Sequence, residues 1–140
     1  MVLMVKITDN PYPLLRRPFS IHARNKHNIE IFFQNTGVGT SMLSQKQRGD
    51  KIEILGPLGN GFHIGERSES KKASLIGGGR GAAPLYFLAC ELVKKNINVT
   101  VFYGGKSSED LPIASKFKKE NIRTLCSTED GSSGFKGLVT

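Results

Sequence analysis

Three short stretches of this chain combine residue types that can hold a phosphate. In Ala73–Lys95 an apolar strand-like run meets Gly77-Gly78-Gly79-Arg80-Gly81-Ala82 and passes at once into an apolar helical run. Gly77, Gly79 and Ala82 match the spacing G-x-G-x-x-A, where a tight turn brings backbone N–H groups and a helix N-terminus up to a pyrophosphate. Arg17-Pro18-Phe19-Ser20 offers a planar guanidinium fork for phosphate oxygens, an aromatic face, and a hydroxyl able to bond a ring nitrogen. Asn35–Gln45 repeats the phosphate logic: Gly37 and Gly39 free the backbone, and Thr40 supplies a hydroxyl and an N-cap for a helix opening at Met42-Leu43. Taken singly, each stretch also suits a purely structural turn or a solvated strand.

The elements that must position these residues follow from periodicity. Val2–Thr8, Leu14–Ile21, Asn28–Gln34 and Lys51–Leu55 read as strands, with a polar turn at residues 24–27. Pro18 cannot donate to a ladder, so it marks an edge or bulge. Gly56-Pro57-Leu58-Gly59-Asn60-Gly61-Phe62 reads as a junction loop, and the charged, aperiodic Gly65–Lys72 as the boundary between two lobes. Beyond it a strand, the glycine turn and a helix lead to a strand at Asn98–Tyr103, a turn at Gly104-Gly105-Lys106, a helix over Leu111–Glu120 and a strand at Ile122–Cys126. Strands alternating with helices at these lengths require a parallel sheet with right-handed crossovers. The expected architecture is β + α/β: a small antiparallel barrel over residues 1–65, followed by a parallel α/β lobe over residues 73–140. Both are expected to be incomplete, since a strand opens at residue 2 and a three-stranded parallel sheet is poorly covered.

Composition narrows the function. The 140 residues carry 38% hydrophobic content, enough for one domain or two small lobes, and a formal charge of +8. The basic residues are scattered and no basic helix interleaves aromatics, which argues against direct nucleic-acid binding. Cys90 and Cys126 lie far apart without C-x-x-C spacing, so neither a metal site nor an iron–sulfur cluster is expected, and both fit small buried thiols. His22, His27 and His63 have no acidic partner at a telling spacing and read as surface or edge residues. Met1–Ile7 is too short for a signal core and no apolar run reaches the ~20 residues of a membrane span, so a cytoplasmic location is expected. About 20 residues after the glycines, where an NAD-binding Rossmann unit places an acid on the ribose, this chain has Tyr103-Gly104-Gly105-Lys106.

Arg17–Ser20, Gly39-Thr40, Gly56–Phe62, Gly77–Leu85 and Asp130–Gly137, in that order, resemble the electron-transfer subunit of type B dihydroorotate dehydrogenase, within the ferredoxin-reductase superfamily. The resemblance implies an FAD-binding barrel followed by a pyridine-nucleotide lobe. It implies that Arg17, Pro18, Phe19 and Ser20 contact FAD, that Phe32, Phe33 and Gln34 line it, and that Gly39 and Thr40 hold its pyrophosphate. Gly77, Gly78, Gly79 and Gly81 would receive NAD, the electron acceptor. The family's pattern has an arginine where this chain has Gln34. It also carries a [2Fe–2S] cluster on a group of cysteines that has no counterpart here, and an FMN-containing catalytic subunit as partner. What is implied is a flavin-dependent oxidoreductase component of pyrimidine biosynthesis, carrying electrons from dihydroorotate oxidation to NAD. The alternatives are another ferredoxin:NAD(P) reductase-like subunit, or a nucleotide-binding remnant that transfers no electrons.

Overall fold

The computed structural model describes residues 1–8, 10–64 and 71–140. They form two compact units, Met1–Gly61 and Phe62–Thr140. Most of the lobe boundary expected at Gly65–Lys72, residues 65–70, lies outside the described residues.

In the first unit β1 (Val2–Lys6), β2 (Arg17–Arg24), β3 (Ile29–Ile31) and β4 (Glu53–Leu58) make an antiparallel sheet in the order β3-β2-β1-β4, with α1 (Val38–Ser44) between β3 and β4. Period-two alternation puts Leu3, Val5 and Ile7 inward, where they are buried along with Ile21 and Leu43. Each such side chain contributes roughly 1.5–3 kcal/mol by leaving water.

The bounds of these strands depart from expectation: β1 stops at Lys6, β2 runs from Arg17 to Arg24 into the expected polar turn, and β3 and β4 differ further. β3 ends at Ile31, so Phe32, Phe33 and Gln34 lie in the following loop instead of a strand through Gln34. Ile21 pairs with Ile31, and carrying that register onward would set Gln34 against Pro18, which has no N–H to give. Pro18 itself sits in β2 opposite Met4, along a stretch whose other side β3 has already left, so the edge reading of Pro18 holds locally. β4 begins later than expected and runs through Gly56-Pro57-Leu58, which is therefore strand and not junction loop. The pairing slips a residue between Val2 and Met4, and Gly56, at φ 148° with its absent Cβ 3.1 Å from Val2 O, makes the slip possible. His22, expected at the surface, is buried at 1% exposure, its ring 5.6 Å from that of Phe32.

The second unit is a parallel sheet in sequential order, β5 (Lys72–Gly78), β6 (Asn98–Gly105), β7 (Arg123–Thr128) and a short β8 (Phe135–Lys136) that periodicity did not reveal; Gly104 and Gly105, expected in a turn, are paired within β6, and β7 runs two residues beyond the expected end at Cys126. A 3-10 turn (Gly79–Ala82) joins β5 to α2 (Ala83–Lys94), and α3 (Ala114–Lys119) precedes β7. The third helix is shorter than expected because Pro112 keeps Leu111 out of the α region, at φ −112° and ψ 38°. Tyr103 of β6 meets Phe117 of α3 at 6.4 Å between ring centroids, and Phe117 meets Tyr86 of α2 at 5.4 Å, so both helices cover one face. On the opposite face Ile76 is 56% exposed.

Tyr103 is fully buried and donates its hydroxyl to Asp110 O at 3.0 Å; burial is the main cause that pushes its phenol up to about 12. An unfolded tyrosine ionises near 10, so between about pH 10 and 12 the unfolded chain has lost a proton that the folded one keeps, and stability falls through that window. Denaturant midpoints measured from pH 9 to 12 are expected to drop less steeply for Tyr103→Phe than for the unaltered chain. Parallel curves would contradict this role.

Candidate functional site

In the first unit the two phosphate-ready stretches come together. Arg17 opens β2 opposite Val5, and its Nη1 donates to Leu15 O at 2.9 Å. Gly39 is buried on α1, and a Cβ there would stand 3.5 Å from Arg17 Nε, 3.8 Å from Arg17 Cγ and 3.1 Å from Ile7 Cδ1. The arginine stem thus lies against the glycine, where a Cβ would touch it at van der Waals distance and crowd Ile7, and a larger side chain would press on both. The neighbouring Arg16 is spent differently: with Lys6 it pairs with Glu53, and the Arg16 hydrogen bond holds that carboxyl below the usual carboxylate range. Arg17 has no carboxylate partner within ion-pair distance among the described residues.

Thr40 is not the N-cap. The helix starts earlier, at Val38, with the extended Gly37 as its cap and Thr40 as its third residue. The Thr40 hydroxyl accepts from the N–H groups of Thr36 and Gly37 at 3.0 and 3.1 Å and donates to Gly37 O at 3.0 Å, so it orders the turn from within. Beside this turn an open hollow of about 540 Å³ is lined by Asn35, Thr36, Gly37, Val38, Ser41 and Met42. Phe19 on β2 meets Phe33 edge to face at 5.6 Å, which brings together two more of the expected residues. Ser20 stands on β2 opposite Val2, Phe32 is half-buried, and Gln34 is exposed. A guanidinium beside a glycine-opened helix start, flanked by an aromatic pair, suits a phosphate-bearing cofactor with a flat ring system.

In the second unit the glycines divide their roles. A Cβ on Gly77 would stand 2.7 Å from Leu85 Cδ1 and 3.2 Å from Ala82 Cα, so this glycine lets α2 pack tightly onto β5. Gly79 holds φ 47°, and neither it nor Gly81 has anything within 4 Å of a would-be Cβ. The space over both is clear for a ligand to approach the backbone. Gly78 is the last residue of β5, paired with Gly104.

An acid does stand in the turn after β6, where spacing from the glycines did not mark it, and it is used on the backbone of that turn. Asp110 reaches back so that its Oδ2 accepts from the N–H groups of Lys106 and Ser107 at 2.9 and 3.3 Å. The signal was local: Ser107-x-x-Asp110 has the spacing of a capping box. The next carboxyl-end loop is tied to the same turn. Glu129 N–H and Asp130 N–H donate to Gly105 O and Lys106 O, each at 3.1 Å, and Ser108 N–H donates to Ser132 Oγ at 2.8 Å. The Ser132 hydroxyl in turn holds the Asp130 carboxyl below its ordinary range. These bonds make a firm ledge at the carboxyl ends of the strands, the end where open parallel sheets receive ligands.

Cys90 on α2 and Cys126 on β7 are free and half-buried, and burial is the main cause that pushes both thiols up. Among the described residues no group of three or more histidine, cysteine or acidic side chains is placed to hold a metal ion, and no helix is long and apolar enough to cross a membrane.

No family model matches the chain. Relatives and solved structures do. The chain is 42% identical over 138 residues to the dihydroorotate dehydrogenase B (NAD(+)) electron transfer subunit of Geobacillus sp. (strain WCH70), covering 97% of this chain and 53% of that one. An NADH-dependent reduced ferredoxin-NADP oxidoreductase, solved for flavin-based electron bifurcation, superposes with a TM-score of 0.80 at 27% identity, over 99% of this chain and 49% of its own. The flavohem-like FAD/NAD binding domain of nitric oxide dioxygenase from Vibrio cholerae O1 biovar El Tor shares the fold, with a TM-score of 0.75 at 22% identity over 97% of this chain and 63% of that one. The chain spans about half the length of the curated relatives it matches. Its two sheets carry the ferredoxin-reductase-like fold, and nearly the whole of its sequence is similar to dihydroorotate dehydrogenase B electron transfer subunits.

Proposed function

We propose that this chain holds FAD in its first unit and a nicotinamide dinucleotide in its second, and that it serves a cytoplasmic dihydroorotate-oxidising complex of pyrimidine biosynthesis. In that complex it passes electrons to NAD, and its partner is an FMN-containing catalytic subunit. The observation that carries the reading is the Arg17 stem lying against Gly39, which joins the two phosphate-ready stretches in one place. Arg17 serves a phosphate or the ribityl chain, Ser20 the ring edge, and Pro18, Phe19, Phe32, Phe33 and Gln34 line the cofactor. Gly39 gives the pyrophosphate access, and Thr40 keeps the turn in shape. In the second unit Gly77 sets the strand–helix packing while Gly78, Gly79 and Gly81 leave the backbone open to the dinucleotide. FAD, when bound, supplies a centre that takes electrons singly or in pairs. Two cysteines on separate elements fall short of the four thiolates a [2Fe–2S] centre usually takes, so no cluster is assigned to these 140 residues.

The test is anaerobic addition of NADH to the FAD-loaded chain, following the oxidised-flavin absorbance by stopped flow. Gly79→Val is expected to abolish reduction while FAD stays bound, because valine strains the left-handed turn at φ 47° and its side chain fills the space over it. Reduction at the unaltered rate would show that the glycine turn only connects β5 to α2.

A further inference from the structure

At the carboxyl ends of β5, β6 and β7, Gly78 pairs with Gly104 and Gly104 with Ser127. Paired residues on neighbouring strands point to the same side, so this row lies on the face of Ile76, Phe102 and Leu125, two positions earlier. Two of the three positions have no side chain, which leaves a slot with a backbone floor that begins where the glycine turn begins. The third position puts a hydroxyl over that floor: Ser127 Oγ is 3.3 Å from where a Gly104 Cβ would stand. Ser127 is 8% exposed, and its Oγ has no hydrogen-bond partner among the described residues.

The slot has a cover. After β8, Gly137 takes φ 139° and donates its N–H to Thr128 O at 2.9 Å, and the chain turns back over β7 toward β6. Val139 comes down on the floor, its Cβ 2.5 Å from the place of a Gly104 Cβ, while Leu138 points to solvent at 71% exposure. An apolar side chain therefore sits where the buried hydroxyl needs a polar partner. A seat built only for valine would be better served by alanine at position 127, because a buried hydroxyl without a partner is a standing cost.

We propose that residues 137–140 are a displaceable cover over this slot, and that the Ser127 hydroxyl gains its partner from the bound dinucleotide once Val139 lifts. The proposal rests on the reading that the second unit binds a nicotinamide dinucleotide, and it adds a control on that binding. A ligand that pairs with Ser127 binds the open form better than the closed one, so the closed population lowers the apparent affinity by the fraction that is open.

The experiment titrates the 140-residue chain, Val139→Ala and Ser127→Ala with NADH by fluorescence, and records melting temperatures and hydrogen exchange at Gly137. Val139→Ala is expected to bind NADH about tenfold more tightly. Ser127→Ala is expected to bind about tenfold more weakly while melting at the same temperature or higher, because it loses an unpaired hydroxyl and gives Val139 a better seat. In the unaltered chain NADH should speed exchange at Gly137, whose N–H is bonded to Thr128 O. Unchanged or weaker binding by Val139→Ala overturns the cover, and so does a lower melting temperature for Ser127→Ala, which would show that the hydroxyl is already bonded. No NADH binding by any of the three proteins overturns the dinucleotide reading and the cover together.

Discussion

Gly77→Ala is expected to destabilise the second unit by about 1–3 kcal/mol, and Gly77→Val by more, without touching any ligand. The new Cβ would stand 2.7 Å from Leu85 Cδ1 and 3.2–3.3 Å from the backbone of Ala82. Leu85 is itself buried, and Ala82 is main chain at the entry to α2, so neither can yield without moving the helix off β5. Against a typical domain stability of roughly 5–15 kcal/mol, this is a large fraction. Gly81→Ala serves as the control, since nothing lies within 4 Å of its would-be Cβ. Urea unfolding followed by circular dichroism checks the pair. A Gly77→Ala midpoint equal to that of Gly81→Ala would mean that β5 and α2 are not packed as described.

Arg17→Ala is expected to weaken FAD by ~1.5–3 kcal/mol, roughly tenfold to a hundredfold, if its guanidinium meets a phosphate. Arg17→Lys should recover only part of the loss, because an ammonium is a point charge without the planar fork. The converse change is equally informative. Gln34 is exposed on the loop after β3, and Gln34→Arg adds a cation to the lining, so it should tighten FAD. If Arg17→Ala binds FAD as the unaltered chain does, the arginine only packs against Gly39 and the phosphate lies elsewhere.

Much of the architecture was legible in the residues because one-dimensional patterns encode it directly. Leu3, Val5 and Ile7 alternate inward as a half-buried strand must, and the run Leu75–Leu92 changes from strand to helix period across its glycines. What escaped depends on partners distant in sequence. That Gln34 is left out of β3, where it would face Pro18, and that β4 passes through Gly56 and Pro57, where its pairing with β1 slips, are relations that neither segment shows alone. His22 is buried because Phe32 comes to lie beside it. β8 has two residues, too few to show any period.

For the candidate site, too, local pattern reached only part of the geometry. Glycine spacing marked the turns, but it could not separate Gly77, which is needed for packing, from Gly79 and Gly81, which face open space. Residue type marked Thr40 as a hydroxyl donor, yet the turn it closes takes up that hydroxyl. Asp110 and Ser127 went unseen, the first because it acts through backbone amides four and three residues back, the second because its meaning lies in a partner it lacks.

The central claim is that the first unit is an FAD site built on Arg17 and the Gly37–Thr40 turn. Its most direct test is equilibrium titration of the flavin-free 140-residue chain with FAD, followed by flavin fluorescence, beside Arg17→Ala and Gly39→Val. The account predicts saturation at one FAD per chain, weakened roughly tenfold or more by Arg17→Ala and lost in Gly39→Val, whose side chain would displace the Arg17 stem. No saturable FAD binding, or binding that both substitutions leave unchanged, would contradict it.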